Sequence, residues 1–245
     1  MLVKVCGIKS LEIAQVAIEN DVDLIGMIML RGVKRSIDLN EAKRIVDEVK
    51  KNRKVSINDV LEIVKKEQFS TANDMLERIQ SLIIDHGPFT VGVFRNQNIE
   101  EILDISSTTG IDIIQLHGKE DKLAYINELS KHGKVVIPRY VIPDDIELIN
   151  TTLQGIFNGK YQGNGFLLPL LDGEMGGTGN KLDWSIVREL PGRFILAGGL
   201  DSDNVRSLGF PNLLGFDVSG GVETDGVKDE NKVKAFIQAG KGVSK

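Results

Sequence analysis

Eight short apolar runs, separated by stretches with helical spacing, constrain this chain more than any other feature. The runs are Leu2–Val5, Leu24–Met29, Thr90–Phe94, Ile111–Leu116, Val135–Ile137, Phe166–Leu171, Arg193–Ala197 and Leu213–Val218. Most are apolar on both faces, the pattern of strands covered on both sides in a parallel sheet. Between them, Ala42, Ile45, Val46 and Val49 form one stripe at helical spacing; Ile99, Ile102 and Leu103 form another, and Val233, Phe236 and Ile237 the last. Ser10, and Asp38 followed by Glu41, are helix-start signals. Such alternation closes into a barrel or spreads into a doubly wound open sheet. Eight strands with Gly-rich loops after the last three select an α/β fold of the (β/α)8 TIM-barrel type. The length of 245 residues fits one such barrel, for which about 250 is typical.

One region breaks the rhythm. Between Val55 and Pro88 the pattern gives no strand but two extra helices, started by Ser56 with Asp59 and by Thr71 with Asp74 and stopped at Gly87-Pro88. Residues 1–245 are therefore read as a single domain, with 55–87 a helical insertion between strands 2 and 3. No long Gly/Ser/Pro linker interrupts it.

Composition limits the partners. A net charge of −5 offers no basic face for nucleic acid, and the Lys50–Lys54 cluster is the solvated end of a helix. No apolar run approaches the roughly 18 residues of a membrane span, and no leader pattern opens the chain. A single cysteine cannot form an internal disulfide, which suits a reducing compartment. The expectation is a cytoplasmic protein, a monomer for want of an obvious apolar surface stripe.

In a (β/α)8 barrel the reacting groups sit at the C-terminal ends of the strands. Strand 1 delivers Cys6-Gly7, strand 2 leads to Lys34-Arg35 and strand 3 to Arg95-Asn96. Strand 4 delivers Gln115, His117 and Gly118, and strand 6 delivers Asp172 and then Gly176-Gly177-Thr178-Gly179. Strand 7 ends in Gly198-Gly199, and strand 8 in Asp217-Val218-Ser219-Gly220-Gly221. Paired glycines let backbone N–H groups approach an anion, and the loops after strands 7 and 8 are the usual phosphate site of this fold. A phosphorylated small-molecule substrate is expected. Cys6 alone reads as a small buried hydrophobe. Asp172, at a strand's mouth, is either a working carboxylate or half of a structural salt bridge. His117 is either a substrate contact or a buried histidine whose ring bonds backbone carbonyls. No His/Cys/carboxylate set has metal-ligand spacing, and neither a P-loop nor a dinucleotide fingerprint is present.

At these residues the sequence closely resembles the phosphoribosylanthranilate isomerase family. The matching stretches are Val3–Ile8, Val91–Asn96, Ile114–Gly118, Leu171-Asp172 leading into Gly176–Gly179, Asp183-Trp184, Leu196–Leu200 and Asp217–Glu223, in register over nearly the whole chain. The run Gly221–Asp229 looks most like the stand-alone fungal forms. The resemblance implies an Amadori rearrangement in tryptophan biosynthesis, with Asp172 as general acid and Cys6 as general base, and no metal or organic cofactor. It implies that Arg35 meets the anthranilate carboxylate, that His117 and Asp217 contact substrate, and that Gly177, Gly198, Gly199, Ser219, Gly220 and Gly221 bind phosphate. An acid must be protonated to donate, so Asp172 is expected to have a raised pKa. Pro138, where related sequences often carry lysine, suggests a bulge or an early end to strand 5 and argues against a contact from Arg139.

Two other readings compete. A sister sugar-phosphate barrel would carry an aspartate at the strand 1 base position or use a catalytic lysine and glutamate, and Cys6 fits neither. A non-catalytic barrel binding a phosphorylated ligand would not be expected to keep Cys6, Asp172, Arg35 and both phosphate loops.

Overall fold

A computed structural model describes residues 1–30, 32–158, 165, 168–173 and 184–244. Eight parallel strands close in sequence order into a barrel. They are β1 (Leu2–Val5), β2 (Leu24–Ile28), β3 (Phe89–Phe94), β4 (Ile113–Leu116), β5 (Val135–Val141), β6 (Leu170–Asp172), β7 (Phe194–Leu196) and β8 (Leu213–Val218). The seam joins the first strand to the last, with Leu2 opposite Gly215 and Lys4 opposite Asp217. The helices are α1 (Leu11–Glu19), α2 (Leu39–Asn52), α3 (Ile57–Lys66), α4 (Ala72–His86), α5 (Ile99–Thr109), α6 (Lys122–Lys131), α7 (Ile146–Phe157), α8 (Trp184–Glu189) and α9 (Glu230–Lys241). Only a short 3₁₀ turn, Val205–Ser207, stands between β7 and β8. After β8 come the 3₁₀ turn Gly220–Val222 and a small hairpin of β9 (Glu223–Thr224) and β10 (Val227–Lys228).

Local chemistry fixes the elements as expected. Ser10 and Asp38 cap α1 and α2, while Ser56/Asp59 and Thr71/Asp74 form reciprocal capping boxes on α3 and α4. Ala42, Ile45, Val46 and Val49 are fully buried on the barrel-facing side of α2.

Six of the eight strands differ from expectation at an end, and three of these differences bear on the partners of polar residues. β4 starts at Ile113 because Asp112 is turned aside: its carboxylate accepts from Thr90 N and Oγ1 at 2.9 and 2.8 Å and pairs with Arg53. β6 ends on Asp172, one residue later than expected, and residues 166–167 lie outside the described set. β5 does not end early at Pro138. It runs on to Val141, since Pro138 is the last residue in register with β4 and pairing with β6 begins at Arg139. A residue without an N–H costs least at the end of a ladder.

The two ends of the barrel differ in character. At the N-terminal end, buried carboxylates tie elements together: Asp23 accepts from Val3 N and from Lys241 Nζ, both at 2.6 Å. The extra helix α4 lies across this end. Its Gln80 amide donates to the Leu214 carbonyl, and its Glu77 pairs with Arg193, just before β7, at 2.5 Å. The inserted helices thus leave the opposite, C-terminal mouth open.

Candidate active site at the C-terminal mouth

A cavity of about 360 Å³ opens at that mouth, within the range of small-ligand sites. The structure brings together in its lining Cys6, Arg35, His117, Asp172, Gly198, Gly199, Asp217, Ser219, Gly220 and Gly221, all expected from the sequence. Gly177 lies outside the described residues.

Cys6 follows β1, its N–H donating to Val218 O at 2.8 Å, and the thiol is a free one on the cavity floor. Space for it comes from the next strand. A Cβ on Gly26 would stand 2.9 Å from the sulfur and 3.0 Å from Cys6 Cα, so only glycine fits there. Burial pushes the thiol above its ordinary pKa, against the pull of Lys4; Asp217 adds to the rise. Lys4, two residues earlier on the strand, is fully buried and donates to Asp217 Oδ1 at 2.9 Å. Burial works to lower the ammonium, yet Asp217 and Cys6 beside it hold it above its usual value. Burial likewise raises the Asp217 carboxyl, with Lys4 opposing.

Asp172 stands three strands away round the ring, counting through β8 and β7. Both of its oxygens are in use. Arg139 Nε donates to Oδ2 at 2.8 Å, and the N–H of Gly173 donates to Oδ1 at 2.8 Å. Arg139 also donates to Gly173 O at 2.6 Å, and the pair is buried. The expectation that Pro138 removes Arg139 from the site is therefore overturned: an unbroken β5 carries the guanidinium to Asp172.

On the β4 side, His117 Nδ1 and Gln115 Oε1 are buried with no partner among the described residues. The alternative in which the His117 ring bonds backbone carbonyls is thus not seen at Nδ1. Burial, then the cations Arg139, Lys4 and Arg95, press its pKa down to about 3, so the ring is neutral near pH 7. Two buried polar atoms facing one cavity are groups that a polar ligand would satisfy.

At one end of the cavity Gly198 and Gly199 turn with φ of 95° and 70°. The loop after β8 presses on the loop after β7, and a Cβ on Gly221 would come within 1.9 Å of Leu200 O. Asn204 clamps the first loop by donating to Gly199 O at 2.9 Å. At another edge Arg35 Nη2 donates to Glu223 Oε2 at 2.9 Å, and Glu223 Oε1 accepts from Lys228 at 2.8 Å. Lys34 and Arg95 also line the cavity, and neither has an ion-pair partner among the described residues. With Asp172 and Asp217 each matched by a buried cation, the mouth favours an anionic ligand. Among the described residues no group of three His, Cys, Asp or Glu side chains could hold a metal, and no helix is long and apolar enough to cross a membrane.

Sequence reasoning missed Lys4, Arg139 and Glu223. The signal for Lys4 was available: a lysine in the middle of a strand that is otherwise apolar on both faces has to meet an anion. Arg139 was hidden by its proline neighbour. Glu223 acts only through a hairpin that brings it back to the β2 loop, which no local pattern announces.

Comparison with known proteins agrees with this geometry. The family model described as N-(5'phosphoribosyl)anthranilate (PRA) isomerase matches residues 61–239. An N-(5'-phosphoribosyl)anthranilate isomerase of Candida albicans is 44% identical over 239 residues, covering 98% of this chain and 97% of the relative. The crystal structure of phosphoribosyl anthranilate isomerase from Thermotoga maritima superposes with a TM-score of 0.70 at 27% identity, covering 99% of both chains. Another, of the isomerase in complex with reduced 1-(o-carboxyphenylamino)-1-deoxyribulose 5-phosphate, gives 0.66 at 27% identity, covering 99% of this chain and 100% of that one. The chain belongs to the N-(5'-phosphoribosyl)anthranilate isomerase family.

Proposed function

We propose that this chain converts N-(5'-phosphoribosyl)anthranilate to 1-(o-carboxyphenylamino)-1-deoxyribulose 5-phosphate, the isomerase step of tryptophan biosynthesis, with Asp172 as general acid and Cys6 as general base. One observation carries the reading. A thiol and a carboxyl line one cavity from β1 and β6, and that cavity has glycine loops at one end and Arg35 at another edge.

The sugar phosphate seats on the loops of Gly198-Gly199 and Ser219–Gly221, with Gly177 as a further contact, and the aryl carboxylate meets Arg35. Asp172 gives its proton to the ring oxygen as the C1′–O bond opens, leaving an iminium between C1′ and nitrogen. Arg139 receives the carboxylate that this leaves behind and stabilises it as it forms. The iminium acidifies the C2′ hydrogen. Cys6 takes that proton, the C–H electrons form the C1′–C2′ double bond, and the iminium pair returns to nitrogen. The enolamine then gains a proton at C1′ and loses one from the C2′ hydroxyl, giving the ketose. Neutral His117 and the Asp217 carboxyl supply hydrogen bonds to the sugar, and the rest is positioning.

Large exposed apolar side chains among the described residues are limited to Val33, Ile84 and Val227, which supports a monomer. The lone cysteine as a working thiol supports a reducing cytoplasm.

The test is to supply phosphoribosylanthranilate and couple the product to indole-glycerol-phosphate formation. Turnover is expected, and Cys6→Ala and Asp172→Ala each lower kcat by at least about 10²-fold with the fold intact. Absence of turnover in the parent protein would overturn the activity; near-normal kcat in either variant would overturn that residue's role.

A further inference from the structure

The most unusual polar residue in the barrel is Lys4. Lysines are almost never fully buried unless paired, and this one has no exposure at all. It sits two residues before Cys6, so strand alternation turns both side chains to the same side of the sheet. The register sets Lys4 opposite Asp217, and the Cys6 N–H continues the same ladder to Val218 O. The ammonium donates to Asp217 Oδ1 at 2.9 Å, and its charge also acts on the Cys6 thiol.

We propose that Lys4 is a positioning residue for the base: its ammonium, buried on the same side of the strand as Cys6 and paired with Asp217, is the counter-charge that holds the thiolate in a site removed from water. The inference rests on the reading of Cys6 as base but is testable apart from it. A thiolate at this depth has little solvent to stabilise it, and Lys4 is the cation that answers its desolvation most directly. The groups facing Cys6 are few. β1 contributes Lys4 and β8 contributes Asp217, while β2 contributes the uncharged Gly26. From the hairpin comes Lys228, whose ammonium is already bonded to Ser219 O and Glu223 Oε1 at 2.9 and 2.8 Å. Lys4 favours the thiolate; Asp217, carrying the same sign of charge, opposes it. An ion pair serving stability alone would have no such split. Removing either partner would weaken the fold alike and leave the thiol where it was.

The experiment uses the ligand-free, full-length protein. Cys6 is the only cysteine, so iodoacetamide alkylation followed by intact mass reads its thiolate directly. The midpoint of the rate against pH is compared between variants, since a midpoint does not depend on how easily the reagent enters. Lys4→Met is expected to move it to higher pH by about one unit, a tenfold loss of thiolate at a given pH. Loss of the Lys4 charge outweighs any protonation of Asp217 that accompanies it. Lys4→Arg, which keeps the charge, stays within about threefold of the parent at any one pH, and Asp217→Asn moves the midpoint to lower pH. Shifts of the same sign for Lys4→Met and Asp217→Asn, or no shift in either, would overturn the proposal. Should Lys4→Met fail to fold by thermal melting, Asp217→Asn decides: a midpoint unchanged or higher overturns it. Turnover of the same variants separates the two readings. A midpoint that moves with Lys4 while the pH profile of kcat/KM does not would refute Cys6 as base and leave the role of Lys4 intact.

Discussion

Acid should weaken this protein through one histidine. His117 is held neutral in the folded state, with a pKa near 3, whereas an unfolded chain protonates histidine near 6.5. Above pH 6.5 both states are neutral and His117 contributes nothing to the pH dependence. Below it the unfolded chain binds a proton that the folded one refuses, so stability falls as pH falls, until about pH 3. Each unit of pH in that window costs about 1.4 kcal/mol, and the onset near 6.5 reduces the loss between pH 7 and pH 5 to about 2 kcal/mol. At pH 5 the folded protein is still well above the native pKa and takes up almost no proton. His117→Asn keeps a polar side chain but cannot titrate. Urea unfolding of parent and variant at the two pH values gives the answer as a difference of differences, in which other titrating groups cancel. The parent should lose about 2 kcal/mol more than the variant on going from pH 7 to pH 5. Equal losses, or a His117 ring resonance that titrates near pH 6 in the folded protein, would refute the claim that the site keeps this ring uncharged.

Other consequences can be checked with single changes. Gly26→Ala places a methyl 2.9 Å from the Cys6 sulfur; kcat should fall more than tenfold while KM moves less, with about 1–3 kcal/mol lost in thermal unfolding. An unchanged kcat would show that the thiol need not sit where β2 allows it. Arg139→Gln leaves Asp172 without its guanidinium and should cost about 3–5 kcal/mol; combined with Asp172→Asn the losses should fall clearly short of their sum, and strict additivity in a double-mutant cycle would argue against coupling. Gly221→Ala forces apart the loops after β7 and β8, because its Cβ would meet Leu200 O at 1.9 Å. The melting temperature should drop, and the stabilisation by added inorganic phosphate should shrink; full retention of that stabilisation would place the phosphate elsewhere.

The barrel was legible because its signals are local. Each strand declares itself by apolar runs, and α3 and α4 by capping pairs that span only three residues. The site was legible in part, for the same reason: Cys6, Asp172 and the paired glycines occupy strand ends, where this fold puts its chemistry. What escaped were partnerships made between neighbouring strands. Lys4 meets Asp217 only because β1 closes on β8, and Arg139 meets Asp172 only because Pro138 falls where one ladder gives way to the next. Asp112 shows the converse, making a strand start late by bonds to Thr90 and Arg53 that spacing does not reveal.

The seam between β1 and β8 has a consequence for how the enzyme comes into being. Cys6 and Lys4 emerge from the ribosome before Asp217, which lies on the strand that completes the ring. Until then the lysine has no carboxylate beside it, and a buried ammonium without a partner is too costly to hold in a core. The early strands therefore cannot settle into their final packing ahead of the last one. The surroundings of the Cys6 thiol are assembled at the same moment as the barrel, which leaves a half-made chain without a finished cavity.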